Sequence, residues 1–359
     1  MSRTDEGTPT EATAPETTLP AGDLAPARAD SWLARWWQSK SMRRFRRNPL
    51  AIVGLLIVLA FVVTATAAPL VTTPSRSCLR DLGLTAATAE AYKNPTNPAF
   101  YKIMFQTPTT CYMMPRVGYS PIPQTPEVSG TLLGTTSQGY DIFYGLMWGS
   151  RTAFRIGVLV VGIGLMLGLI VGATAGYLGG WVDNVLMRIT DMVIAVPALV
   201  LALVIVMVLG NSIINLMIAI SAVAWPSYAR LVRGEVLRVK ELEYVTGAQS
   251  IGRRPFGVVM RHILPNAIGP ILIVASLDIG SIVLTAAALS FLGLGPELGY
   301  ADWGQMISFA RNWILGPPGQ PLAYWYTSFW PGLVIVLFVL GWNLLGDAFR
   351  DVLDVRGNV

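Results

Sequence analysis

Asp278 is a carboxylate inside the apolar run VASLDIGS. An ionisable group at membrane depth either faces a cavity or pathway, or is held neutral or hydrogen-bonded among helices with no such role. Cys78 and Cys111 are the two cysteines. In an oxidising compartment they can close a disulfide; two unpaired thiols is the other reading. His262 is the one histidine, and the cysteines lack zinc spacing, so no metal site is expected. The remaining stretch with chemistry is EYVTGAQSIGRRPFGVVMRHILPN, from Glu243 to Asn266. Small residues at Thr246, Gly247, Ala248 and Gly252 would let a partner's surface come close, with Arg253, Arg254 and Arg261 meeting acidic groups at its rim. Pro255 and Pro265 set its helical pieces at an angle. A basic loop lying on lipid headgroups is the alternative. The chain has no GxxxxGK[ST] phosphate loop, and GLGPELG after an apolar run is a helix-end turn. With no nucleophile–base set either, the chain is expected to have no catalytic site of its own.

What positions these residues is a membrane framework. The chain has 359 residues, 53% hydrophobic and 13% charged, where a soluble domain carries about 25% charged residues. The net charge of +5 comes from basic residues beside apolar runs. That is the positive-inside pattern and not a nucleic-acid footprint. Six runs are long enough to span: Pro49–Ala68, Ile156–Gly176, Met192–Leu209, Ile213–Tyr228, Ile268–Leu292 and Phe329–Leu345. Arg43, Arg44, Arg46 and Arg47 precede the first, Arg188 lies between the second and third, Arg230 to Arg261 follow the fourth, and Arg350 and Arg356 follow the sixth. With six crossings these fall on one side, so both termini are expected in the cytoplasm. Arg151 and Arg155, at the outer start of the second run, are expected to snorkel to the interface.

The resulting division is a disordered tail at 1–34, a basic juxtamembrane segment at 35–48 and a first transmembrane helix at 49–69. An extracytoplasmic segment with both cysteines covers 70–150. The transmembrane core spans 151–348 and includes the cytoplasmic segment 240–266, and a cytoplasmic C-terminus covers 349–359. Gly164, Gly168, Gly172 and Gly176 recur every fourth residue, a face for close helix packing or, alternatively, a channel lining. Pro197 and Pro226 lie within expected spans and bend them.

Several motifs, in order, resemble the C-type permease subunit of dipeptide/oligopeptide/nickel ABC importers, a branch of the binding-protein-dependent transport system inner membrane components. In the branch's EAA motif, Thr246, Gly247 and Ala248 stand at the three lettered positions, the first two substituted. Gly252 stands at the glycine, and His262, Ile263, Leu264 and Pro265 lie in the HILPN close. LLGTTSQGYDIFYGLMWGSR, YLGGWVDNVLMRITD, LSFLGLG and GDAFRDVLDVR resemble further segments of the branch, so the likeness runs from about Arg43 to Arg356. The resemblance implies an all-α membrane protein: six transmembrane helices, N-in/C-in, in a type I importer permease bundle of the bacterial cytoplasmic (inner) membrane. It implies half of a translocation pathway for di- or oligopeptides, with nickel or another small solute as the alternative. The implied partners are a second homologous permease subunit, two ATPase subunits that bind ATP and Mg, and an extracytoplasmic substrate-binding protein. The chain itself would hold no cofactor, and its EAA segment would be the helix that docks on the ATPase. A self-sufficient secondary transporter is the competing class, but no internal repeat supports it.

Overall fold

The computed structural model describes residues 40–353 except residue 119. The expected tail at 1–34, the start of the juxtamembrane segment and Arg356 lie outside the described residues.

A basic helix, α1 (Lys40–Arg47), leads into α2 (Pro49–Val71). Asn48 caps α2 by accepting from the amides of Leu50 (3.0 Å) and Ala51 (3.4 Å), and Pro49 opens its first turn. The segment expected on the outer side then folds through three short α-helices: α3 (Arg76–Asp81), α4 (Pro98–Phe105) and α5 (Pro126–Ser129). Next comes α6 (Ile142–Leu178), 37 residues long, about 55 Å where the hydrocarbon layer is about 30 Å. Its surplus lies at its start, where the outer segment covers Ile142, Tyr144 and Trp148. Beyond it run α7 (Gly180–Ile194), α8 (Ala198–Leu209) and α9 (Ile213–Lys240). A polar-ended connection of α10 (Glu243–Ser250), α11 (Pro255–Val258) and a π turn (Val259–Ile263) leads to α12 (Leu264–Phe291). Finally α13 (Trp303–Ala310) lies between α12 and α14 (Tyr326–Leu353).

Five of these helices are long and apolar enough to cross a membrane, and α7 with α8 makes a sixth crossing if that bent pair is taken as one. Here the expected third span, Met192–Leu209, differs from the structure. The chain bends by 84° between α7 and α8. Pro197 is not inside a helix but at the N-cap of α8. Proline offers no amide and pushes the preceding residue out of helical geometry. With 12 residues, α8 alone reaches about 18 Å and cannot cross.

The bundle is seamed by α6 against α9. A Cβ on Gly168 would sit 2.9 Å from the Tyr228 carbonyl carbon, and one on Gly172 would sit 2.8 Å from Val232 Cβ. The glycine face is therefore the packing face, and it meets the half of α9 that follows Pro226. Beside this seam Arg233 clasps Asp183 of α7 through two 2.6 Å hydrogen bonds, tying the broken pair to α9. On the opposite flank, α14 packs on α12 and α2. Phe338 of α14 meets Phe61 of α2 at 5.2 Å and Trp303 at 5.7 Å between ring centroids.

Candidate functional site

The connection between α9 and α12 is the site to examine first. Helix α10 is turned against the ends of α6 and α9 because its inward residues are apolar. Val245 is buried with Val232, Val236 and Val239 of α9, Ala173 of α6, and Val258, Ile263 and Ala267 of the returning chain, and Ala248, three residues on along the same face, is buried as well. Helix α10 ends in a Schellman arrangement: the Gly252 amide donates to Gln249 O (2.9 Å) and the Arg253 amide to Ala248 O (3.4 Å). Gly252 sits at φ +77°, and a Cβ there would meet nothing within 4 Å. The reason for glycine is therefore its left-handed backbone and not a close neighbour.

After that turn, Pro255 opens α11 at its first position and the π turn joins it to α12. Arg253 donates to His262 Nε2 across this bend, and Asn266 Nδ2 donates to His262 O at 2.7 Å. His262 is thus an internal tie of the elbow.

The sequence-designated residues divide into two sets. Thr246, Gly247, Gly252, Arg253, Arg254 and Pro265 are exposed. Ala248 and Ile263 are buried, and Leu264 packs beside them. Ala248, expected as a small residue that lets a partner come close, is buried on the face of α10 that it shares with Val245. The surface has two members that the sequence did not single out, Ile251 at 82% and Phe256 at 77% exposure. Their signal was present, as large apolar residues off the buried face of a polar stretch. An exposed apolar pair bordered by Arg253 and Arg254 is a docking surface in chemical type, apolar centre and cationic rim.

Asp278 lies elsewhere, half-buried on α12. Ser281 Oγ donates to its backbone carbonyl at 3.0 Å. The Tyr228 hydroxyl of α9 is buried beside it without a hydrogen bond of ordinary geometry. The neighbouring Ile279 meets Gly157 of α6, and Gly280 meets Val339 of α14. Asp278 is therefore set in a seam between helices.

In the segment between α2 and α6 the structure joins Cys78 to Cys111, tying α3 to the 3-10 turn Thr109–Tyr112. Tyr144 of α6 donates to Cys111 O at 2.6 Å, and Trp148 donates to Thr72 Oγ1 at 2.9 Å. Arg151 finds its partners within the protein. Its guanidinium donates to Ile103 O (3.1 Å), Thr107 Oγ1 (3.2 Å) and Met104 O (2.7 Å), closing the C-terminal end of α4. Asp302, capping α13, accepts from the Gln305 amide at 2.9 Å, and burial pushes its carboxyl up to about 6. The bond between cysteines 33 positions apart is expected to stabilise the outer segment by about 3–4 kcal/mol. Cys78→Ser should expose the stretch between positions 82 and 110 to limited proteolysis, whereas the oxidised protein resists.

Comparison with known proteins adds a family. The profile described as "Binding-protein-dependent transport system inner membrane component" matches residues 164–357. The profile described as "N-terminal TM domain of oligopeptide transport permease C" matches residues 36–89. A dipeptide transport system permease protein of Alkalihalophilus pseudofirmus is 34% identical over 317 residues, covering 88% of this chain and 89% of the relative. A glutathione transport system permease protein of Pectobacterium atrosepticum is 38% identical, over 62% of this chain and 72% of its own. Among solved structures, an inward-facing form of the MetNI methionine ABC transporter aligns with a TM-score of 0.48 at 16% identity. That alignment covers 59% of this chain and 97% of the other.

Proposed function

The chain belongs to the family of binding-protein-dependent transport system inner membrane components, and from that premise we propose that it carries short peptides inward as one of two permease subunits driven by separate ATPases. It is a multi-pass protein of the bacterial inner membrane and an ABC importer permease. The peptide assignment is supported by relatives whose names specify dipeptide and glutathione.

The observation that carries the coupling role is the construction of α10 and its turn. The inward face is fixed to the ends of α6 and α9 by Val245, Val258 and Ile263. The outward face presents Ile251 and Phe256 with Arg253 and Arg254. A partner pressing on that face would move α9 and α12 together, because the elbow between them is held by the Schellman turn and the Arg253–His262 contact. The partners in this reading are a homologous second permease, two ATPases holding ATP and Mg, and a binding protein on the opposite side. The face of α10 then lies in the cytoplasm, and so do both termini.

Reconstitution tests it. Proteoliposomes containing this chain, its second permease and the ATPases, supplied with binding protein and internal ATP, should accumulate a labelled dipeptide. Vesicles with this chain alone should not. Uptake by the chain alone, with no ATP, would overturn the reading in favour of a self-sufficient carrier.

A further inference from the structure

A groove runs along the membrane-spanning wall of α6 beside the elbow. Its volume is about 530 Å³, and Met166, Ile170, Tyr177, Phe256, Val259 and Met260 are among its walls. That size lies within the ~300–1,000 Å³ of sites that hold small molecules. Its lining is almost wholly apolar, and Ile170, Phe256 and Met260 stay exposed. From Met166 to Leu178 the groove follows α6 for about 18 Å, which reaches back from the elbow to hydrocarbon depth. A soluble partner at the elbow does not extend there.

The rim carries the complementary charge. Lys240 donates to Tyr177 O at 2.8 Å and lies 5.4 Å from the centre of the Tyr177 ring, at one end of the groove. Arg261 follows Met260 in the π turn, whose His262 receives Arg253. No Asp or Glu occurs in 142–178 or in 244–277, the segments that form the two walls. An apolar slot at membrane depth, ending in cations with no carboxylate on either wall, matches one kind of molecule: an acyl chain with an anionic head.

We propose that this groove is a binding site for an anionic phospholipid, its acyl chain lying between α6 and the elbow and its phosphate on Lys240 and Arg261. The inference rests on the proposed reading only in placing the elbow at the cytoplasmic leaflet. A lipid wedged there would brace the elbow against α6, so that bilayer composition tunes how firmly α10 is held.

The test uses the assembled transporter, equilibrated in bilayers of phosphatidylglycerol or of phosphatidylcholine and examined by native mass spectrometry. The wild type should retain phosphatidylglycerol in preference to phosphatidylcholine. Ile170→Trp and Thr174→Trp, both exposed positions that line the groove, should lower that retention about tenfold. Lys240→Gln should erase the headgroup preference. Val158→Trp, exposed on α6 outside the groove, should behave as wild type. Equal retention of both lipids by wild type, or undiminished retention by both tryptophan variants, would overturn the proposal. So would a photo-crosslinker at Met260 that captures a polypeptide in place of lipid. The same spectra weigh the ATPases: their absence with lipid still bound would count against the docking role alone.

Discussion

Gly252→Val is expected to leave the chain inserted and folded while cutting ATP-driven uptake by about 5- to 30-fold. The figure follows from the backbone. Gly252 holds φ +77°, and an L-residue in left-handed geometry costs about 1–2 kcal/mol, most for a β-branched side chain. The Cβ would meet no atom within 4 Å, so the cost is conformational and local. It is relieved by opening the turn, which gives up the Gly252–Gln249 and Arg253–Ala248 hydrogen bonds. Ile251, Phe256 and Arg253 then lose their fixed relation, and with it the surface proposed to dock on the ATPase. Co-purification of the ATPase subunits should fall in step with uptake. Gly247→Ala is the control. Gly247 lies within α10 with no positive φ and no neighbour within 4 Å of its would-be Cβ. Alanine there should be neutral or stabilise the helix by about 1 kcal/mol. If Gly252→Val transports and retains ATPase like wild type, the turn is not what presents the docking face.

The contrast between these glycines shows which parts of the molecule were legible in the sequence. Local backbone chemistry was: Pro49 opens the first long helix and Pro255 opens the piece it was expected to set at an angle. Periodicity was as well, since a four-residue glycine spacing designates one helix face whatever packs on it. Partnership across distance was not. The partners of Arg151, the carbonyls of Ile103 and Met104, belong to a segment with no periodic signal and so could not be read locally. Pro197 was read as a bend within a span, but nothing local says that α7 turns away by 84° and is clasped to α9 by Arg233. In the coupling segment, motif and surface are different sets. The motif positions Ala248 and Ile263 are buried, while Ile251 and Phe256 face outward without belonging to any lettered position.

The largest loss is expected from Gly168→Leu. Tight packing of α6 on α9 makes the seam, and at this position it is made by backbone. A Cβ on Gly168 would come within 2.9 Å of the Tyr228 carbonyl carbon and 3.0 Å of the Ala229 amide nitrogen. Overpacking costs about 1–3 kcal/mol when side chains can shift, but main-chain atoms of a helix move only with the helix. Separating the pair also opens Gly172, whose Cβ position is 3.0 Å from the Arg233 amide nitrogen. That shift pulls at the Arg233–Asp183 clasp. In a membrane little hydrophobic force draws helices together, so lost close contact is not recovered elsewhere. The yield of detergent-extracted, monodisperse protein should therefore fall by at least about tenfold, a loss of ~1.4 kcal/mol or more. Gly162→Leu, six residues earlier on α6 with nothing within 4 Å of its Cβ position, should fold as wild type. Equal yields for the two variants would mean that the glycine face packs on nothing, and would return the stripe to the alternative of a pathway lining.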